Sequence, residues 1–353
     1  MSNAVPLVQV KPNELRLRKP FATLAAEGHR AAFAFCNQLV GVWRPGSTGV
    51  TRLGPVAQWS CPPPRGLERI YALAFAGDRV AWVSEAGGNV VTNLVFLVVL
   101  AAPHTLTIAA ETDYCCRGLD PDPERMGDVY GDGSFIAFSS RVKCGDLGVT
   151  TCAGPARTLV SQTAWRLRRP PYQSNCVNKP GPCQLLETTS AALRPLSVDS
   201  GRVLLLRPGG TLEVMNANGA PVRTFANSAV TGAELMGGRL LMLMPGNIRE
   251  YKIQTGALVR TRPLPNVTSA GVCGMPPCPV VALRLVDAKR GLVAYIQSGR
   301  LHLLRLRDGR NRIVHRATDA RFGDDGLFYA FSGAAPWVSR IRFVPWRALP
   351  LQP

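Results

Sequence analysis

Six charged residues stand in strands that open successive repeats of the chain: Arg69, Asp128, Arg194, Glu234, Arg284 and Arg321. If those strands face one another, the six side chains converge. A cluster with more arginine than acid grips a carboxylate or phosphate, because each guanidinium offers two parallel N–H donors to two oxygens. The competing outcome is that the arginines and acids neutralise each other or contact water. Three tryptophans, Trp59, Trp165 and Trp337, are candidate exposed aromatics, and Trp337 follows Gly-Ala-Ala-Pro in a loop where it could stack on a sugar or base.

Ten cysteines form the second chemical set. They come as Cys36 and Cys61, Cys115 and Cys116, Cys144 and Cys152, Cys176 and Cys183, and Cys273 and Cys278, amid Pro and Gly. Zinc sites favour short, regular Cys and His spacings, and none of the four His lies near a Cys pair. Disulfides in an oxidising compartment fit better, which places the protein outside the cell or in the cell envelope. Adjacent Cys115 and Cys116 either bond to each other or each pairs with a different cysteine, for example Cys36 or Cys61. Residues 1–4 read as a cloning remnant, and the expectation is that an export signal once preceded them.

Other chemistries find little footing. No Gly-x-Ser-x-Gly elbow and no phosphate-binding Gly-x-x-x-x-Gly-Lys loop occurs. His29, His104, His302 and His315 are scattered, so neither a metal nor a cofactor is expected. Lys and Arg number 41 against 23 Asp and Glu, giving a net charge of +18 that favours anionic partners. The basic residues read as scattered, in the manner of an Arg-rich chain from a GC-rich genome. Nucleic-acid binding would need a basic track with stacking aromatics, and export argues against it. The longest apolar run, residues 94–102, is too short for a membrane span and reads as a buried strand.

The elements that position these residues come from a repeat. Seven segments share an apolar strand, a tight Gly turn and a second strong strand, marked by Gly28, Gly77, Gly133, Gly201, Gly238, Gly291 and Gly326. The steps are 49, 56, 68, 37, 53 and 35 residues, the short ones fitting four strands and the long ones four strands with loop insertions. Residues 233–262 show the unit cleanly: four strands, at 233–236, 239–243, 248–253 and 257–262, joined by Gly turns. One such sheet cannot bury its faces, but sheets packed radially can. The expectation is therefore an all-β fold: a single seven-bladed β-propeller of four-stranded antiparallel blades spanning residues 5–353. Glu14-Leu-Arg-Leu-Arg18 is a spare alternating strand that would complete the last blade and close the ring.

Phrases such as Gly77-Asp-Arg-Val-Ala-Trp-Val-Ser84 and Gly133-Ser-Phe-Ile-Ala-Phe-Ser139 resemble the bacterial TolB-type propeller repeat, which is WD-repeat-like in architecture. The resemblance implies a propeller and says little about activity. On that scheme Cys36, Cys61, Cys115, Cys116, Cys144, Cys152, Cys273 and Cys278 fall in loops of one face, with Cys176 and Cys183 on the other. A loop face braced by disulfides suits recognition. The expected function is an exported, monomeric, non-enzymatic binding module for a protein or an anionic envelope ligand, without a transmembrane segment. The alternative is a propeller enzyme of hydrolase, lyase or quinone-dependent dehydrogenase type, with its site at the channel mouth.

Overall fold

The computed structural model describes residues 7–36, 38–55, 61, 69–87, 90–115, 126–133, 135–143, 159–167, 183–189, 194–207, 210–226, 230–264 and 283–353. The chain folds into antiparallel sheets in which consecutive strands are neighbours. Six sheets have four strands and are numbered here as blades: one (21–53), two (69–115), three (126–189), four (194–225), five (232–263) and six (284–316). The remaining sheet, called terminal, has five strands. Val8–Lys11 and Glu14–Leu17 pair outside Ser339–Pro345, Gly326–Ser332 and Asp319–Phe322. This corrects the expectation of seven four-stranded blades. Six have four strands, and the sheet that holds both chain ends has five because Val-Gln-Val-Lys before Pro12-Asn13 is itself a strand.

The strands follow from composition. Runs such as Arg239-Leu-Leu-Met-Leu-Met244 and Leu292-Val-Ala-Tyr-Ile-Gln297 carry apolar side chains on both faces, as strands sandwiched between neighbouring sheets must. Five marker glycines, Gly28, Gly77, Gly201, Gly238 and Gly291, sit at φ between 59° and 79° in the turns that join first to second strands. That left-handed backbone strains a residue with a Cβ. Gly326 is different. It begins a strand, and a Cβ there would lie 2.2 Å from the Val344 carbonyl oxygen.

The core is distributed. Among the described residues the buried apolar side chains fall into clusters, each between two consecutive sheets. Leu15, Leu17, Phe328 and Phe343 of the terminal sheet thus pack against Leu24, Phe33, Phe35 and Trp43 of blade one. The first strand of each sheet lies against the first strand of the next, and Asp319–Phe322 also meets Phe21–Glu27 of blade one. Glu14–Leu17 pairs antiparallel with Ser339–Pro345, with Leu15 opposite Ile341.

Candidate functional site in the central channel

The inner strands all begin on one face, termed the top, at Phe21, Arg69, Met126, Arg194, Gly232, Arg284 and Asp319. Most carry a β-bulge near that end. The register shifts between Phe21 and Thr23, Ile70 and Ala72, Met126 and Val129, Pro195 and Ser197, and Leu285 and Asp287. A bulge re-aims side chains by breaking strict alternation. Here one skipped residue from each of these strands, Ala22, Tyr71, Asp128, Leu196 and Val286, lines a top-face cavity of about 730 Å3.

Five of the six expected channel residues line this cavity: Asp128, Arg194, Glu234, Arg284 and Arg321. Arg69 does not. Its guanidinium turns along its own blade to Glu85, with Nε 2.7 Å from Oε2, and lies over the Tyr71 ring. The others form a paired ring. Arg194 meets Asp128 at 3.2 Å, and Asp319 holds Arg321 at 2.9 Å and Arg284 at 3.5 Å. Arg194 and Arg284 remain 61% and 48% exposed, whereas Asp319 is buried. An acid beneath each cation therefore holds it toward the opening.

Below this ring Leu73, Val129, Tyr130, Val286, Glu234 and Arg321 border both the top cavity and a second one of about 680 Å3. Arg321 is pinned there by the carbonyls of Val286 at 2.9 Å and Ala320 at 2.7 Å. The Ser197 hydroxyl donates to Glu234 Oε1. Burial and the nearby Asp287 charge push the Glu234 carboxyl well above the usual carboxylate range, against the pull of Ser197 and Arg321. Burial also raises the Tyr130 phenol.

A carboxyl whose folded pKa is raised contributes stability below its unfolded pKa and loses it as pH climbs through the folded value. Glu234→Gln removes that loss. The variant's denaturation midpoint is expected to gain on wild type as pH rises above the ordinary carboxylate range. Parallel pH profiles for the two proteins would show that Glu234 ionises as freely folded as unfolded.

The bottom mouth is built differently. Acids at the ends of inner strands accept hydrogen bonds from backbone N–H groups of the next sheet. Glu27 takes Gly77 at 2.8 Å, Asp199 takes Gly237 at 2.7 Å, and Asp287 takes Phe322 at 2.6 Å. Asp132 does the same for Gly201 at 3.3 Å. These carboxylates latch one sheet to the next.

The sequence reading did not single out Asp319, Tyr130, Ser197, Tyr71 or Asp287. Asp319 was legible, because it precedes Arg321 by two residues on a short strand and so shares its face. Tyr71, Ser197 and Asp287 sit in or beside bulges, where alternation misleads.

Cys36 and Cys61 form a disulfide beside the terminal-sheet and blade-one core. Since Cys36 follows the strand whose Phe35 pairs with Phe21, the bond lies at the top face. This corrects the idea that Cys115 or Cys116 pairs with either of them. Cys115 ends a strand of blade two and Cys183 begins one of blade three. Cys116, Cys144, Cys152, Cys176, Cys273 and Cys278 lie outside the described residues, as does Trp59. Trp165 is in the strand Leu159–Leu167. Trp337 is half-buried, and the Arg18 guanidinium lies 4.9 Å from its ring, covering a face that a sugar or base would use. Among the described residues no group of three His, Cys, Asp or Glu is placed to hold a metal, and no helix is long and apolar enough to cross a membrane.

No family model matches the chain, and no curated protein matches it. Solved structures do. The chain is similar to the β-propeller domain of Cps50 (Swd1) from Myceliophteria thermophila at 13% identity and a TM-score of 0.51, covering 93% of this chain and 97% of that one. It is also similar to YCF48 bound to D1 peptide, at 12% identity and a TM-score of 0.51, covering 97% and 99%. At such identities the likeness carries the architecture alone, and it agrees with the sheets described above: the chain is an all-β propeller with four-stranded antiparallel blades.

Proposed function

We propose that residues 5–353 form one exported, monomeric, seven-bladed propeller of TolB-like repeats that binds a protein segment in its top cavity. In this reading the terminal sheet is the seventh blade, and the pairing of Glu14–Leu17 with Ser339–Pro345 closes the ring. The Cys36–Cys61 bond on the same face suits an oxidising compartment.

The observation that carries the reading is the exposed half of the charged ring. Arg194 and Arg284 are pre-aimed by Asp128 and Asp319 yet open to water. Ion pairs that exposed are weak, so an incoming carboxylate displaces the resident acid at small cost. Tyr71 and Phe331 add aromatic wall beside them. A peptide with an acidic side chain or a C-terminal carboxylate fits this chemistry, and YCF48 offers a solved propeller with a peptide bound.

The test is a random-peptide display selection on the full chain and on Arg194→Ala/Arg284→Ala. Acidic peptides should be enriched by the wild type, and the double variant should bind them at least about tenfold more weakly, as expected when a charge-assisted contact is lost. No enrichment, or equal enrichment by the variant, would sink the reading.

A second reading, a channel enzyme, draws on Glu234, a protonation-prone carboxyl at the cavity floor. It predicts that peptides captured by wild type are recovered altered, while Glu234→Gln returns them intact.

A further inference from the structure

The net charge is not spread evenly. Residues 232–316, blades five and six, hold fourteen Lys and Arg against four Asp and Glu, and so carry ten of the net +18. Three of those acids are committed: Glu250 to Arg239 and Arg260, Asp308 to Arg305 and Arg310, and Asp287 to the latch at Phe322. The fourth, Glu234, is in the channel. Among the described residues, Lys252, Arg262, Arg300, Arg307, Arg312 and Arg316 have no carboxylate within ion-pair distance.

Their placement is outward. Arg262 is on Leu258–Pro263 and Arg312 and Arg316 on Asn311–Arg316, the outermost strands of the two blades. Lys252, Arg300 and Arg307 are exposed at the ends of neighbouring strands. Arg262 is held in place by the next blade, with Nε 2.7 Å from the Leu306 carbonyl and Nη2 2.7 Å from that of Arg307. At this edge the register sets like charges against each other, with Arg300 opposite Arg316. Directly opposed like charges destabilise a sheet. A protein that keeps them along one edge, unneutralised, has a surface that only an anion relieves.

We infer that the outer edge of blades five and six binds a linear acidic polysaccharide. Guanidinium groups match carboxylate and sulfate oxygens, and two parallel edge strands offer a narrow track rather than a plane. The exposed apolar residues there, Leu258 and Ile313, are single aliphatic side chains. That is too little for membrane insertion, and no exposed aromatic on either strand offers a base a stacking platform. The inference stands apart from the top-cavity reading, which uses different residues on a different surface.

The experiment measures binding of the full chain to heparin, as an acidic polysaccharide probe, across a salt series. Arg300→Gln/Arg312→Gln/Arg316→Gln is expected to bind about tenfold more weakly with a shallower salt dependence, since fewer counterions are exchanged. Its thermal midpoint should be unchanged or higher, because an opposed pair has been relieved. Lys252→Gln/Arg312→Gln is the milder variant should the triple fail to fold. Lys11→Gln/Lys19→Gln/Arg347→Gln removes as much charge from exposed sites elsewhere, and should stay within about twofold of wild type. The inference is overturned if that control loses as much as the triple, or if the triple binds like wild type. It also fails if Arg194→Gln/Arg284→Gln abolishes heparin binding, or if an oligothymidylate or phosphatidylglycerol vesicles bind more tightly than heparin.

Discussion

Trp43→Ala is expected to lower the free energy of unfolding by about 3–5 kcal/mol, the range for emptying a fully buried large aromatic site. Trp43 has no exposed surface and meets Phe328 of the terminal sheet edge-on, ring centres 6.0 Å apart. It therefore fills the seam between the first blade and the sheet that gathers both chain ends. Leu15, Leu17 and Phe343 share the same cluster, and their strands are fixed by antiparallel ladders that cannot close over a void. Since domains of ordinary stability have about 5–15 kcal/mol to lose, the variant should unfold at much lower denaturant. Trp337→Ala, at a half-buried loop site, is the control and should cost about 1 kcal/mol or less. Similar losses at the two sites would mean that the seam is not tightly packed.

Glu14→Ala should cost about 2–3 kcal/mol near neutral pH, less than a fully buried ion pair because its partners are partly in water. The Glu14 carboxylate is buried in the terminal sheet. It accepts from Arg16 at 2.6 Å and Arg342 at 2.7 Å, with Arg340 at 3.7 Å. Arg16 and Arg340 are directly opposite in the ladder, so removing the acid leaves two cations facing each other. Burial alone would raise this carboxyl, yet the hydrogen bonds and charges of Arg342 and Arg16 win and hold it below the usual range. The sign follows: a depressed carboxyl stabilises above its unfolded pKa and loses that contribution as pH falls through the folded value. Wild type and variant should therefore converge in strongly acid solution. A gap that stays constant down to about pH 2 would mean that packing, not charge, made the difference.

Much of the architecture was legible in the sequence because each blade is specified locally. The turn glycines mark places where the backbone must go left-handed, and the apolar runs mark strands covered on both faces. Residues 233–262 read as four strands, and the structure has them at Gly232–Met236, Arg239–Met244, Asn247–Lys252 and Leu258–Pro263. The extra strand Val8–Lys11 also had its signal, two alternating runs either side of Pro12-Asn13. The channel lining was harder. Glu234 was found where the inner strand is regular, while Tyr71, Ser197 and Asp287 were missed beside bulges, which shift inward and outward by one residue and leave no mark in hydropathy. The crowding of charge on two blades escaped for another reason. Cations that look scattered along a line become neighbours when a chain runs up and down four strands.

The terminal sheet also determines how the molecule can be held. Val8 pairs with Leu17, which pairs with Ser339 near the top face, whereas the last strand runs down to Pro345 and Trp346, whose indole donates to the Asp324 carbonyl by the bottom mouth. The first described strand thus starts on the face of the arginine-lined opening, at the outer edge of its sheet, and the last strand ends on the opposite face. A tag, linker or fused partner ahead of Val8 therefore sits at the outer rim of the top face, on the same side of the molecule as the arginine-lined opening. The same attachment at the carboxyl end anchors the molecule by its back, leaving that opening facing outward.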